Sequence, residues 1–432
     1  MIWLFKEGFV QKRYLVLLIA LIFLAGCGRS TAPVLTPTPI PTAVEARSTA
    51  TARPSATARP TTTPTETPTP TETATPTPSY PPEGRGPTGF EAGVNPLTGL
   101  EVADPQILER RPIVIKVENI PREHRPQWGL SLADLVYEYY TELGATRFAA
   151  VFYGQDSPMV GPIRSGRFFD ANVVQMYKAV FVFGSAYEDV RNRFFRSDFA
   201  SRLILETTQS CPAVCRYDPA GKNLLVADTA ALQDYLRTRG VDNTRQNLDG
   251  MFFQMTPPEG GQAAEQVYVR YSGAIYNRWD YDPAAGRYLR FADAQNDVNR
   301  NNEVYMQLTD RQTSLPVAAD NVVMLCVPHR DYLRTPEMEV LEILMDPQGA
   351  DYTGCDGKSY KAGTGAAFIA RDGQIYPVIW SRPSIDSVLT LLDPGDLSPF
   401  PFKPGQTWFE VLGSFSRVEV QENAWRFVHV MH

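Results

Sequence analysis

The chain has 432 residues, with 41 Lys and Arg against 48 Asp and Glu, a net charge of −7. That acidic balance excludes general nucleic-acid binding, which needs a basic face, so no nucleic-acid partner is expected. The length allows two folded domains beyond any targeting segment.

In chain order, Lys6, Lys12 and Arg13 form a positive start, and Tyr14 to Leu24 is an apolar run. The run is too short to span about 30 Å of hydrocarbon comfortably. It ends in Leu24-Ala25-Gly26-Cys27, which resembles the lipobox of bacterial lipoproteins. The resemblance implies a signal peptide of residues 1–26, cut before Cys27, which then carries the lipid. Several acyl chains on one residue anchor stably where a single chain does not. The expected partner is therefore the membrane, through a lipid anchor, and the expected location its outer, extracytoplasmic face. Loss of residues 1–26 leaves 38 basic against 47 acidic side chains, a charge of −9.

A Thr-, Pro-, Ser- and Ala-rich segment with TPTETPTPTETATPTP repeats follows, as far as about Tyr80. It lacks the large apolar side chains that offset folding entropy. Residues 27–89 read as the lipidated cysteine and a disordered stalk, extended by its prolines at about 3 Å per residue.

Residues 90–256 read as a mixed α/β domain. RPIVIKVEN, from Arg111, is an apolar run suited to a buried strand; LVYEYYTE (135–142) and RFAAVFYG (147–154) are strand-like too. Helix signals follow. Ser165 can cap a helix with Phe169, Val173, Met176 and Tyr177 on one face, and Ser185 with Glu188 forms a capping box before Val190 and Phe194. Asp228 can cap a third helix carrying Leu232, Tyr235 and Leu236, stopped by Gly240. Residues 257–432 read as a mainly antiparallel β domain: QVYVRYSG, AIYNRWDYD, GRYLRFA, NVVMLCV, AAFIAR, QIYPVIW and TWFEVL are short strand-like runs between Gly, Pro, Asp and Asn. The fold class is α+β.

With Cys27 acylated, Cys211, Cys215, Cys326 and Cys355 remain, and three pairings are open. Cys211–Cys215, closing a tight loop around Pro212, and Cys326–Cys355 form the favoured set. Four-thiolate zinc suits Cys-x3-Cys with two distant singles poorly, and extracellular cysteines oxidise. No metal and no cofactor is expected.

RPIVIKVEN, RPQWGLSLADLVYE, GATRFAAVF and GPIRSGR (within 111–167) resemble the YerB-like family of bacterial lipoproteins. GTGAAFIARDGQIYPVIW (363–380) and KPGQTWFEVL (403–412) are similar to its C-terminal domain. Family members commonly carry aspartate where Glu118 stands and a small side chain other than glycine at Gly166. The resemblance implies a two-domain extracytoplasmic lipoprotein and brings no established reaction.

Within GPIRSGR, Arg164 and Arg167 flank Ser165 at an expected helix start, where free backbone N–H groups favour an anion. Arg122, Arg125 and Arg147 could converge on the same place, giving planar multi-donor recognition of phosphate, carboxylate or acidic sugar. The bland alternative pairs these arginines with Glu118, Glu138 and Glu142 in a structural network. Those three glutamates are also the candidate acid/base groups of a glycan or phosphodiester hydrolase, although no spacing rule singles them out. Trp128, beside Gly129 in a polar loop, is the candidate for sugar stacking. KAGTG (361–365) is similar to the Lys-Thr-Gly strand of penicillin-binding enzymes, but no serine has lysine three residues on. DAQNDVNRNNE (293–303) reads as a solvated turn. The expected function is binding of an anionic cell-envelope component or an accessory role in the envelope, with a cell-wall polymer or envelope proteins as partners; the alternative is a cell-wall glycan or phosphodiester hydrolase using Glu118, Glu138 and Glu142.

Overall fold

The computed structural model describes residues 84–431. Cys27 and almost all of the Thr/Pro-rich stretch lie outside the described residues. The described residues fall in one compact unit, Thr75–His432. No helix among them is long and apolar enough to cross a membrane.

The first half carries strands β1 (Ile113–Glu118), β2 (Leu135–Tyr140), β3 (Thr146–Phe152), β4 (Val180–Val182) and β5 (Leu203–Ile204). Its helices are α1 (Phe168–Met176), α2 (Glu188–Phe195) and α3 (Thr229–Thr238). The second half is nearly all strand: β6 (Gln266–Arg270), β7 (Tyr276–Asp282), β8 (Arg287–Asp293), β9 (Asn321–Val327) and β10 (Thr364–Arg371) come first. Then follow β11 (Gln374–Ser381), β12 (Thr390–Leu392), β13 (Thr407–Gly413), β14 (Arg417–Gln421) and β15 (Ala424–Val428). The α+β class stands, mixed first and mainly antiparallel after.

An eleven-stranded sheet runs β12-β11-β10-β9-β13-β2-β3-β1-β4-β5, with Gln262–Ala263 paired to β11. β13 inserts between β9 and β2, parallel to both, so strands from either side of residue 257 share this sheet. A second sheet contains β8, β7, β6, β15 and β14 in that order.

The strand period of two sorts side chains between two cores. Val114, Leu135, Tyr137, Tyr139, Ala149 and Val151 face α1 and α2, among Phe169, Val173 and Phe194. Ile113, Ile115, Val117, Val136, Phe148 and Ala150 face the other way, among Val267, Trp279 and Tyr288 of the second sheet. The runs look continuously apolar in sequence because both faces of the large sheet are covered.

Asp228 caps α3 as expected, accepting from the Ala231 N–H at 3.0 Å. The other two caps differ. α1 starts at Phe168, not after Ser165, and its N-cap is Arg167. Asp170, at the third helical position, accepts from the Arg167 N–H at 2.7 Å and takes the capping role. α2 starts at Glu188 with no side-chain cap. Ser165 and Ser185 instead bond one another, Oγ to Oγ, at 2.8 Å. Cys211 joins Cys215 and Cys326 joins Cys355, the pairing favoured from sequence.

Candidate functional site

The loop 161–167 lies along the second half of β1. Glu118 N–H donates to Pro162 O, and Arg164 N–H to Lys116 O, at 2.9 Å each. The register of the three adjacent strands sets Arg147 opposite both Glu118 and Tyr139. Alternation on β1 then turns Val114, Lys116 and Glu118 to the helical side, beneath the loop.

Three arginines and two glutamates meet there. Glu142, just past the end of β2, accepts from Arg147 Nη2 at 2.6 Å and from Arg167 Nε at 2.7 Å and Nη2. Burial works to raise the Glu142 carboxyl, but the hydrogen bonds of Arg167 and the charges of both arginines hold it below its ordinary range. Burial, then the neighbouring Arg167, lowers Arg147 to about 10. Arg147 and Arg167 also donate to the Ser165 carbonyl. Glu118 pairs with Arg164 and lies 2.5 Å from His124 Nδ1. Its pKa is raised by burial, against the pull of Arg164 and His124. The Arg164 side chain remains 43% exposed, while those of Arg147 and Arg167 are 16% and 14% exposed. Gly166 fits under this corner because a Cβ would stand 2.8 Å from the Phe194 ring.

Directly beneath is a buried group that the sequence reading missed. Lys116 pairs with Asp170 at 3.2 Å, and both contact the Tyr139 hydroxyl. Burial lowers the Lys116 pKa to about 7 although Asp170 works to raise it. Asp170 also occupies the start of α1, so the helix end is already answered by a carboxylate.

Two of the expected arginines go elsewhere. Arg122 and Arg125 both clamp Asp293 of β8, at 2.5 and 3.2 Å, rather than joining Arg164. Asp293 and Asp297 are buried anchors, Asp297 pairing with Arg270 at 2.8 Å, so the 293–303 segment is not simply a solvated turn. Trp128 is only 5% exposed, its ring met by Tyr217 and by the Arg311 guanidinium, which leaves no face for a sugar.

Glu138 lies between the two sheets, fully buried. Arg290 donates to it at 2.5 Å and to Glu410 at 3.0 Å. Thr146, Asn119, Asn277, Trp279 and Tyr271 complete the network. Burial raises Glu138 to about 7; Arg290 opposes the rise and Glu410 adds to it. Glu118 and Glu142 are thus ion-paired at the corner of loop 161–167 and Glu138 between the two sheets, each to arginine. The signal for the Glu138–Arg290–Glu410 group was a charged residue inside each of three strand-like runs, which sequence cannot pair.

The family described as "Protein of unknown function (DUF3048)" matches this chain in two parts, its N-terminal domain at residues 97–242 and its C-terminal domain at 267–409. The chain is similar to "Putative lipoprotein YerB" of Bacillus subtilis (strain 168), at 25% identity over 344 residues, covering 76% of this chain and 88% of that protein. The crystal structure of the Bacillus subtilis YerB protein shares the fold, with a TM-score of 0.58 at 22% identity, covering 74% of this chain and 97% of that one.

Proposed function

This chain belongs to the DUF3048 family of proteins of unknown function, and from that premise we propose that it is a lipoprotein, lipid-anchored to the extracytoplasmic face of the cell membrane, that binds an anionic component of the cell envelope. Its likeness to a protein described as a lipoprotein supports the anchor. The observation that carries the binding reading is Arg164. Around loop 161–167 three arginines meet two glutamates, and Arg164 is the one whose guanidinium reaches solvent. Arg147 and Arg167 share Glu142, so the corner as a whole carries one positive charge in excess, in a chain of net charge −7. A planar guanidinium offers forked donors to phosphate or carboxylate. Ionic contacts at such an exposed patch weaken with salt. The glutamates serve as counter-charges that hold the arginines in place.

The test uses full-length protein in neutral detergent, titrated with soluble anionic wall-polymer fragments. A charged hydrogen bond is worth about 1.5–3 kcal/mol, so Arg164→Gln should weaken binding about tenfold or more. It also leaves the buried Glu118 to His124 alone, so the unfolding midpoint should fall too, and affinity is compared at a temperature where both proteins are folded. Arg164→Lys should recover only part of the loss. Equal affinity of parent and Arg164→Gln, or a large fall in midpoint with no binding by the parent, would overturn the reading.

A further inference from the structure

At the opposite end of β2 from Glu142, the large sheet opens onto a cleft of about 540 Å³. Small-molecule sites run from about 300 to 1,000 Å³. β9, β13 and β2 are adjacent and parallel, with Asn321, Thr407 and Leu135 in register. The residues just before them, Asp320, Gln406 and Asp134, therefore stand in a row along the cleft wall.

Each member of the row is fixed by the backbone around it. Asp134 accepts from Asn95 Nδ2 at 2.8 Å and from the Tyr153 and Gly154 N–H groups at 2.5 and 3.0 Å. Asp320 Oδ2 accepts from the Gln406 N–H at 2.9 Å and pairs with Arg287 at 3.2 Å. Gly405 has φ +141°, and a Cβ there would lie 2.2 Å from Asp320 Oδ2, so glycine is what lets the carboxylate sit so close. Burial raises the carboxyl of Asp134 to about 6, and that of Asp320 also upward.

Bonding capacity is left over on both signs. Gln406 is 7% exposed and gives Nε2 to Leu130 O and Ala133 O at 2.9 and 2.6 Å, while its Oε1 is buried without a hydrogen-bond partner among the described residues. An orphaned acceptor of this kind gains from any donor that reaches it. Asp320 Oδ1 and Arg287 Nη1 likewise make no hydrogen bond among the described residues, and the Arg287 side chain is 36% exposed. Acceptors thus stand beside one guanidinium, with no aromatic ring in the lining on which a sugar could stack.

We propose that this cleft binds a zwitterionic ligand of the amino acid or short-peptide class, its ammonium group on Asp320 and the Gln406 Oε1 and its carboxylate on Arg287. The site is separate from the Arg164 corner and does not depend on it. β2 alone sets six residues, about 20 Å, between them.

Full-length protein in neutral detergent is titrated calorimetrically with alanyl-alanine, with its N-acetylated form and with its C-amidated form. The free dipeptide should bind, and acetylation or amidation should each lower affinity at least tenfold. Asp320→Asn should remove the difference between free and acetylated forms, and Arg287→Gln that between free and amidated forms. If either variant fails to fold, the responses of the parent to the two blocked peptides still decide. Absence of binding at millimolar dipeptide, or affinity indifferent to both blocks, overturns the assignment.

Discussion

Arg290→Met is the sharpest perturbation of this fold. In the parent, one guanidinium neutralises two carboxylates, Glu138 and Glu410, and all three side chains are essentially unexposed. Arg290 is also stacked near Trp408 and Trp279, at 4.5 and 5.1 Å from the ring centroids. Methionine keeps favourable contact with those rings, so the change removes charge more than packing. Breaking a buried ion pair from one side costs about 3–5 kcal/mol, and two orphaned carboxylates set the expectation at or above the upper end. Protonation offers partial relief. Glu138 is already raised to about 7, chiefly by burial, with the arginine present. A carboxyl whose folded pKa exceeds its unfolded value gives stability that is whole below the unfolded pKa, about 4.3, and lost as pH rises through the folded one. Without Arg290 the rise is larger, so the penalty should be clearly smaller at pH 5 than at pH 8. Urea unfolding at both values measures it. A loss under about 1 kcal/mol at pH 8, or an equal loss at both, would refute the reasoning, since about 1 kcal/mol is what an ordinary surface pair is worth. Adding Glu138→Gln and Glu410→Gln should restore part of the loss by removing the unpaired charges.

Two further predictions concern stability alone. Replacing Cys326 and Cys355 by serine opens a loop of sequence separation 29 and should cost about 3 kcal/mol, read by urea unfolding with and without reductant. The reductant should have far less effect on the serine variant than on the parent. Asp228→Ala removes the one expected cap that forms and should cost about 1 kcal/mol in unfolding free energy, with Asp228→Asn nearly neutral.

The strands were legible because a sheet covered on both faces writes continuous apolar runs, and the runs from RPIVIKVEN to TWFEVL correspond to strands. Less legible were the polar residues inside those runs. Lys116 and Glu118 follow the alternation of β1, yet nothing nearby in sequence tells that Asp170, Tyr139 and His124 receive them. Arg122 finds its carboxylate on Asp293, 171 residues away. Serine spacing also misled at two helix starts. Ser165 and Ser185 have the right distance from an apolar run, but each meets the other serine, and at α1 the deeper Asp170 takes the N–H that a cap would have taken. The residues of the cleft left no pattern at all, because each merely precedes a strand whose neighbours are set by a long-range parallel register.

A common rule explains the three glutamates and points to where function remains. Putting a carboxylate into this sheet stack is costly unless it is paired and hydrogen-bonded, and arginine answers each in turn: Arg290 for Glu138, Arg164 for Glu118, and Arg147 with Arg167 for Glu142. Glu142 is held ionised in this way, while Glu118 and Glu138, raised by burial, are held against their arginines and carry no spare charge outward. Groups left partly unanswered are therefore the informative ones. Two such groups lie at the surface: the guanidinium of Arg164, which extends beyond its partner into solvent, and the Asp320–Gln406–Arg287 group, which lines an open cleft. One offers a single positive fork and the other an acceptor pair beside a guanidinium. Their ligands should accordingly differ in charge, and neither should compete with the other.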